Sequence, residues 1–138
     1  EIGHALASGA ARRAYDAIVR AHGGDPDPDR LPRPRRTVTA TAVRAGFVSA
    51  IATEELGWLA VAVGAGRRRQ GDTVDLAAGL TVRARVGDRI EAGAPLVTLE
   101  LGEREVAVEP MLERAVAAFR LADEAPPPVA LVRRRLAG

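Results

Sequence analysis

The chain has 138 residues and neither cysteine nor lysine. Without cysteine there are no disulfides, no thiolate nucleophile and no thiolate metal site. That agrees with a reducing cytoplasm, the compartment expected for it. Without lysine there is no Schiff base, no phosphate-loop lysine and no attachment point for biotin or lipoate. All 20 basic side chains are therefore arginine. Aromatic residues make up only 3% of the chain, so any core must be aliphatic. No apolar run reaches the roughly 18 residues of a membrane span. The N-terminus shows no basic region followed by an apolar stretch, so no secretory signal is read there. No membrane partner is expected.

What is present suffices for one domain with an appended element. Hydrophobic residues make up 47% of the chain and charged residues 28%. The net charge is +2, although the sequence pI is near 10.3. The two agree, because arginine holds its charge to very high pH. Near-balance at pH 7 gives little long-range attraction for phosphates, which argues against a nucleic-acid partner.

The N-terminal stretch Glu1 to Ala21 reads as helix, with Ala11, Tyr15, Ile18 and Val19 at helical spacing. Ser8 suits the N-cap of a second segment, and Gly23-Gly24 the stop. The chain opens abruptly at Glu1, as would a segment continuing from an upstream domain. Alternating prolines from Asp25 through Pro34 favour an extended linker. The expected division is a helical segment over 1–24, a linker over 25–35 and a domain over 36–138.

Within that domain, strands are expected at Thr37–Val43 and Phe47–Ala52. A helix follows, with Thr53 as N-cap, Leu56, Leu59, Ala60 and Val63 on its buried face, and Gly64 and Gly66 at its end. Leu80, Val82, Ala84 and Val86 alternate with polar residues as in a half-exposed strand. Gly87-Asp88 and Glu91–Ala94 turn the chain, and Pro95–Leu101 is another strand. A second helix is expected over Glu109–Ala125, with Pro110 in its first turn and Pro126–Pro128 ending it, and a closing strand at Val129–Val132. The fold class is α+β, with short strands and turns around one internal helix and a second helix closing them.

The chemistry-bearing candidates are few. Gly64-Ala65-Gly66 has the composition of a phosphate cradle, but it follows a helix, so the nearby dipole end is negative. It reads better as a helix stop. Arg67-Arg68-Arg69 suits phosphate, yet also suits the C-terminal end of a helix or a pairing with Asp72 and Asp75. No aromatic residues accompany it, as they would in a nucleic-acid groove. Arg133–Arg135 is a second cationic run. Asp72 and Asp75 have no third carboxylate or histidine beside them and read as turn residues. His4 and His22 lie in the N-terminal segment, too far apart for a local metal motif. Ser8 and Ser49 lack a nucleophile-elbow context. No catalytic, cofactor-binding or metal-binding residue is assigned.

Several segments together resemble the C-terminal domain of pyrimidine-nucleoside and thymidine phosphorylases. They are Ser8–Ala11, Gly23–Asp25, Gly46–Val48, Thr53 with Leu56-Gly57, Gly64–Arg67, Asp72–Asp75, Ala78-Gly79 and Gly87–Leu96. They run in the family's order over nearly the whole chain. One departs: Ala65 stands where the family pattern has glycine. Val86–Leu96 also resembles a turn of biotinyl and lipoyl carriers, but the carrier lysine is missing. The phosphorylase resemblance implies a hammerhead-type α+β domain. It further implies phosphorolysis of pyrimidine nucleosides to free base and (deoxy)ribose 1-phosphate by the parent enzyme, a homodimer. The family's phosphate and base motifs belong to upstream domains and match nothing here. The isolated chain is therefore expected to be inactive, with phosphate and nucleoside bound elsewhere. Two rival readings are a free-standing interaction module of the same fold and a part of a nucleoside-monophosphate phosphorylase.

Overall fold

A computed structural model of the chain describes residues 1–128, 130, 132, 134 and 135. It divides into two compact units, Glu1–Pro32 and Arg33–Gly138.

The first unit contains α1 (Ile2–Ala7) and α2 (Ala10–Ala21), followed by a single 3-10 turn at Pro28–Arg30. Ser8 is not an N-cap. It closes α1, and Gly9 begins α2 from a left-handed conformation at φ 71°. A serine side chain cannot supply that geometry, whereas glycine adopts it freely. At the other end of α2, Gly23 and Gly24 donate to the carbonyls of Arg20 and Val19, both at 2.9 Å, forming a Schellman stop. The proline stretch is not fully extended, because Asp27 accepts from the Asp29 amide at 3.0 Å and caps the short turn. None of the residues in these helices is buried.

The second unit is α+β, as its sequence pattern implies. It holds β1 (Arg36–Thr41), β2 (Gly46–Ile51), α3 (Thr53–Val63), β3 (Gly79–Val82), β4 (Arg89–Ile90), β5 (Pro95–Leu101), α4 (Val108–Ala117) and β6 (Phe119–Ala122). All strand pairs are antiparallel. They form two three-stranded sheets, ordered β1-β5-β3 and β4-β2-β6. Helix α4 packs on β1 and β5, and α3 packs on α4 and reaches β3 and β5. Leu59, Leu96, Leu99, Val48, Val63 and Val97 are sealed in the resulting core, together with Phe119. The core is aliphatic apart from that one ring, as the scarcity of aromatics requires. Central strand β5 is covered on both faces. Its one buried polar residue, Thr98, meets the Thr39 hydroxyl at 3.3 Å and the Arg83 Nε at 3.1 Å.

Four sequence expectations for this unit are corrected. Thr53 is the first helical residue of α3, and Ala52 precedes it without a side-chain cap. Ala62 is buried in α3 and Ala60 only half-buried. The alternation of Leu80 through Val86 does not make a long strand, because the β3–β5 register runs only to Val82↔Val97, with one bond beyond it from the Arg83 amide to the Leu96 carbonyl at 2.8 Å. Beyond it, the Asp88 carboxylate catches the Arg85 amide at 2.7 Å and turns the chain. The expected second helix also stops at Ala117, and its remainder becomes β6, paired to β2 from Phe47↔Ala122 to Ile51↔Phe119. Tertiary pairing overrides a locally helical period here. Pro126–Pro128 accordingly follow a strand rather than end a helix. The closing strand expected at Val129–Val132 rests on Val129 and Leu131, which lie outside the described residues.

Two glycines with positive φ, Gly87 at 99° and Gly93 at 82°, flank β4 and make the tight turns on either side of it. The turn Gly93 amide donates to the Ala42 carbonyl at 2.7 Å, which fastens the turn before β5 to the end of β1.

Candidate functional site

The residues with chemical potential gather around the C-terminal end of α3 and the segment that leaves it. The helix ends in a Schellman motif: the Gly64 amide donates to Val61 at 3.2 Å and the Ala65 amide to Ala60 at 3.0 Å. Gly64 sits at φ 120°, in the left-handed region. Its N–H and that of Ala65 are thus turned into the helix, where they satisfy orphan carbonyls. They are not available to cradle an anion.

Arginines reach two α3 carbonyls, Val61 again and Ala62. The Arg104 guanidinium donates to Val61 at 3.3 Å and that of Arg68 to Ala62 at 3.5 Å. Cations at a helix C-terminus face the favourable end of its dipole. Arg67, Arg68 and Arg69 are otherwise exposed.

Asp72 and Asp75 act as turn residues. One Asp72 oxygen accepts both the Arg68 and Arg69 amides, each at 3.0 Å. These two consecutive N–H groups form a small anion nest, and the chain's own carboxylate fills it. Asp75 accepts the Ala77 amide at 3.0 Å and the Glu103 amide at 2.6 Å. Those backbone bonds, Ala77 first and Glu103 next, hold its carboxyl below the usual aspartate range, against the opposite push of partial burial. Its carboxylate lies where a β-carbon on Gly102 would stand. The sequence singles out Asp75 but not Gly102 or Arg104. The signal for Gly102 is a lone glycine just past a strongly apolar strand.

The remaining candidates are dispersed. His4 and His22 are exposed in the first unit, where the His22 ring meets the Ile18 carbonyl at 2.8 Å. Ser49 sits at the irregularity between β2 and β6 and donates to the Arg120 carbonyl at 3.1 Å, which is a structural bond. Among the described residues no group of three or more His, Asp or Glu side chains converges in a way that could hold a metal ion.

Away from these residues, a groove of about 480 Å³ lies between β1 and α4. Its walls are apolar at Ala40, Val43, Leu112 and Val116, with the Thr39 and Thr41 hydroxyls and Glu113 at its edges. A smaller pocket of about 200 Å³ adjoins it, sharing Val43 and Val116 and adding Arg44. That guanidinium is committed to the Leu121 carbonyl at 2.7 Å and to Asp123 at 2.8 Å, so it pins β6. These surfaces suit contact rather than bond-breaking.

The family model for the pyrimidine nucleoside phosphorylase C-terminal domain matches residues 47–121. The pyrimidine-nucleoside phosphorylase of Bacillus subtilis is 35% identical over 127 residues, which is 89% of this chain and 29% of that protein. Its counterpart from Geobacillus stearothermophilus is 35% identical over 106 residues, 74% of this chain and 24% of that protein. The enzyme of that name from Staphylococcus aureus is 30% identical over 106 residues, with the same two shares. The chain thus spans less than a third of the length of the curated relatives it matches.

Proposed function

The chain belongs to the pyrimidine nucleoside phosphorylase C-terminal domain family, and from that premise we propose that it is the accessory domain of a pyrimidine-nucleoside phosphorylase. The parent enzyme would convert nucleoside and phosphate to free base and (deoxy)ribose 1-phosphate. On this reading the phosphate- and base-binding residues lie in other parts of the polypeptide, and the chain alone is inactive. Residues 1–24 are then helical continuation of an upstream domain, and the parent works as a cytoplasmic homodimer. Phosphorolysis depends on positioning an anion against a developing oxocarbenium centre. A rigid flanking unit affects that geometry without touching substrate.

One observation supports this most. The carboxylates best placed for chemistry, Asp72 and Asp75, are occupied by backbone amides of their own chain. The experiment is phosphorolysis of thymidine and uridine by the isolated chain, read as free base released. No release above the uncatalysed background is expected, and sustained turnover would refute the assignment.

A second reading, a free-standing interaction module, draws on the exposure of Ile2, Leu6, Tyr15 and Ile18 along α1 and α2. A coding sequence that continues upstream for some hundreds of residues would exclude it. A nucleic-acid role for Arg67–Arg69 would require strongly salt-dependent binding to DNA or RNA, and absence of binding at low salt removes it.

A further inference from the structure

The segment between α3 and β3 is an Ω-loop whose neck is closed by the Asp75 amide donating to the Gly64 carbonyl at 2.9 Å. Its outer part, residues 67–71, is exposed. Asp72 is used inside the loop, on the Arg68 and Arg69 amides. Asp75 reaches out of it, to the Glu103 amide in the corner between β5 and α4. Gly102 adjoins that amide. It does not have positive φ, so backbone conformation does not demand glycine there. What demands it is the Asp75 carboxylate, which occupies the place of a side chain.

We infer that Asp75 is a latch: its carboxylate, seated on Gly102, fastens the arginine-bearing loop 64–75 to the β5–α4 corner, and when it leaves that seat the loop swings out while the sheets and helices stay folded. The base of the loop cannot swing far. A β-carbon on Gly66 would come within 2.7 Å of the Val61 side chain, so Gly66 lies flat on α3 and Gly64–Gly66 forms the pivot. The Arg68 guanidinium adds only a long contact to Ala62 at 3.5 Å. The carboxylate bond on the Glu103 amide is shorter and charge-assisted, so it dominates the closed state, while the bond on Ala77 lies within the segment itself.

Hydrogen exchange on the intact chain tests the latch. The Glu103 amide is held across the latch by the Asp75 carboxylate. Its protection factor should be lower than those of the Val97 and Leu99 amides in β5, which open only with the core. Asp75→Ala and Gly102→Ala should each lower the Glu103 protection factor roughly tenfold and leave those of the β5 amides unchanged. The double variant should lower it no further than the stronger single, because both changes break one contact. A Glu103 protection factor equal to those of β5, or additive effects, would overturn the latch. Should either variant fail to fold, the comparison of Glu103 with β5 in the unmodified chain decides the matter alone.

Discussion

Helices α2 and α3 differ in what they bury and in what their sequences announce. Helix α2 carries Ala11, Tyr15 and Ile18 at helical spacing among charged residues, yet it buries none of its residues. Helix α3 is apolar nearly all round, carries a glycine in its middle, and buries Leu56, Leu59, Ala62 and Val63. An amphipathic stripe is therefore a statement about a surface that wants covering, not about one that is covered. In α3 the covering is supplied by α4 and by the sheet β1-β5-β3.

The contrast predicts where substitutions matter. Leu59→Ala should destabilise the second unit by about 2–5 kcal/mol, read from the urea midpoint, whereas Ile18→Ala should stay within about 0.5 kcal/mol. Equal losses at the two positions would break the comparison. Next in size is Gly46→Ala, whose new β-carbon would stand 2.8 Å from the Ala122 carbonyl oxygen. It should cost about 1–3 kcal/mol and speed exchange of the β6 amides most. Gly57→Ala should have the opposite sign. Nothing lies within 4 Å of the space its methyl would take, and alanine in a helix interior is worth about 0.5–1 kcal/mol over glycine. A loss of stability there would mean that α3 has an unrecognised neighbour.

The smallest effect concerns acid. Asp75 has a lowered pKa in the folded chain. Its stabilising contribution is therefore complete above the ordinary aspartate value of about 3.9 and is lost as pH falls through the lower folded value. Glu103, Arg104 and Glu105 are the other titratable residues of the corner it faces, and Glu103 pairs with Arg35. The protection factor of the Glu103 amide should fall in that acid range in the unmodified chain but not in Asp75→Ala. An identical acid response in both would assign the effect to another group.

Much of this architecture is legible in the residues. Strands β1, β2 and β5 follow from β-branched and alternating segments, and α3 from its apolar face and its Gly64 stop. The two glycines around β4 mark real turns because each needs a positive φ. The illegible parts depend on partners distant in sequence. Phe119–Ala122 continues a helical apolar period, and only the edge of β2 makes it a strand. Val82 and Val86 look like core residues by alternation, yet both are exposed, Val82 at the last paired position of β3 and Val86 beyond it. At the site, the wrong polarity of the Gly64–Gly66 turn is readable from its place after a helix. The seat of Asp75 on Gly102 is not, since nothing local links those positions.

The most direct test of the accessory-domain account is a replacement. The matched C-terminal segment of the Bacillus subtilis pyrimidine-nucleoside phosphorylase is exchanged for this chain, and uridine phosphorolysis is compared with that of the same enzyme lacking the segment. The account predicts that the hybrid regains turnover that the truncated enzyme lacks. A cooperatively folded hybrid no more active than the truncated enzyme would contradict it.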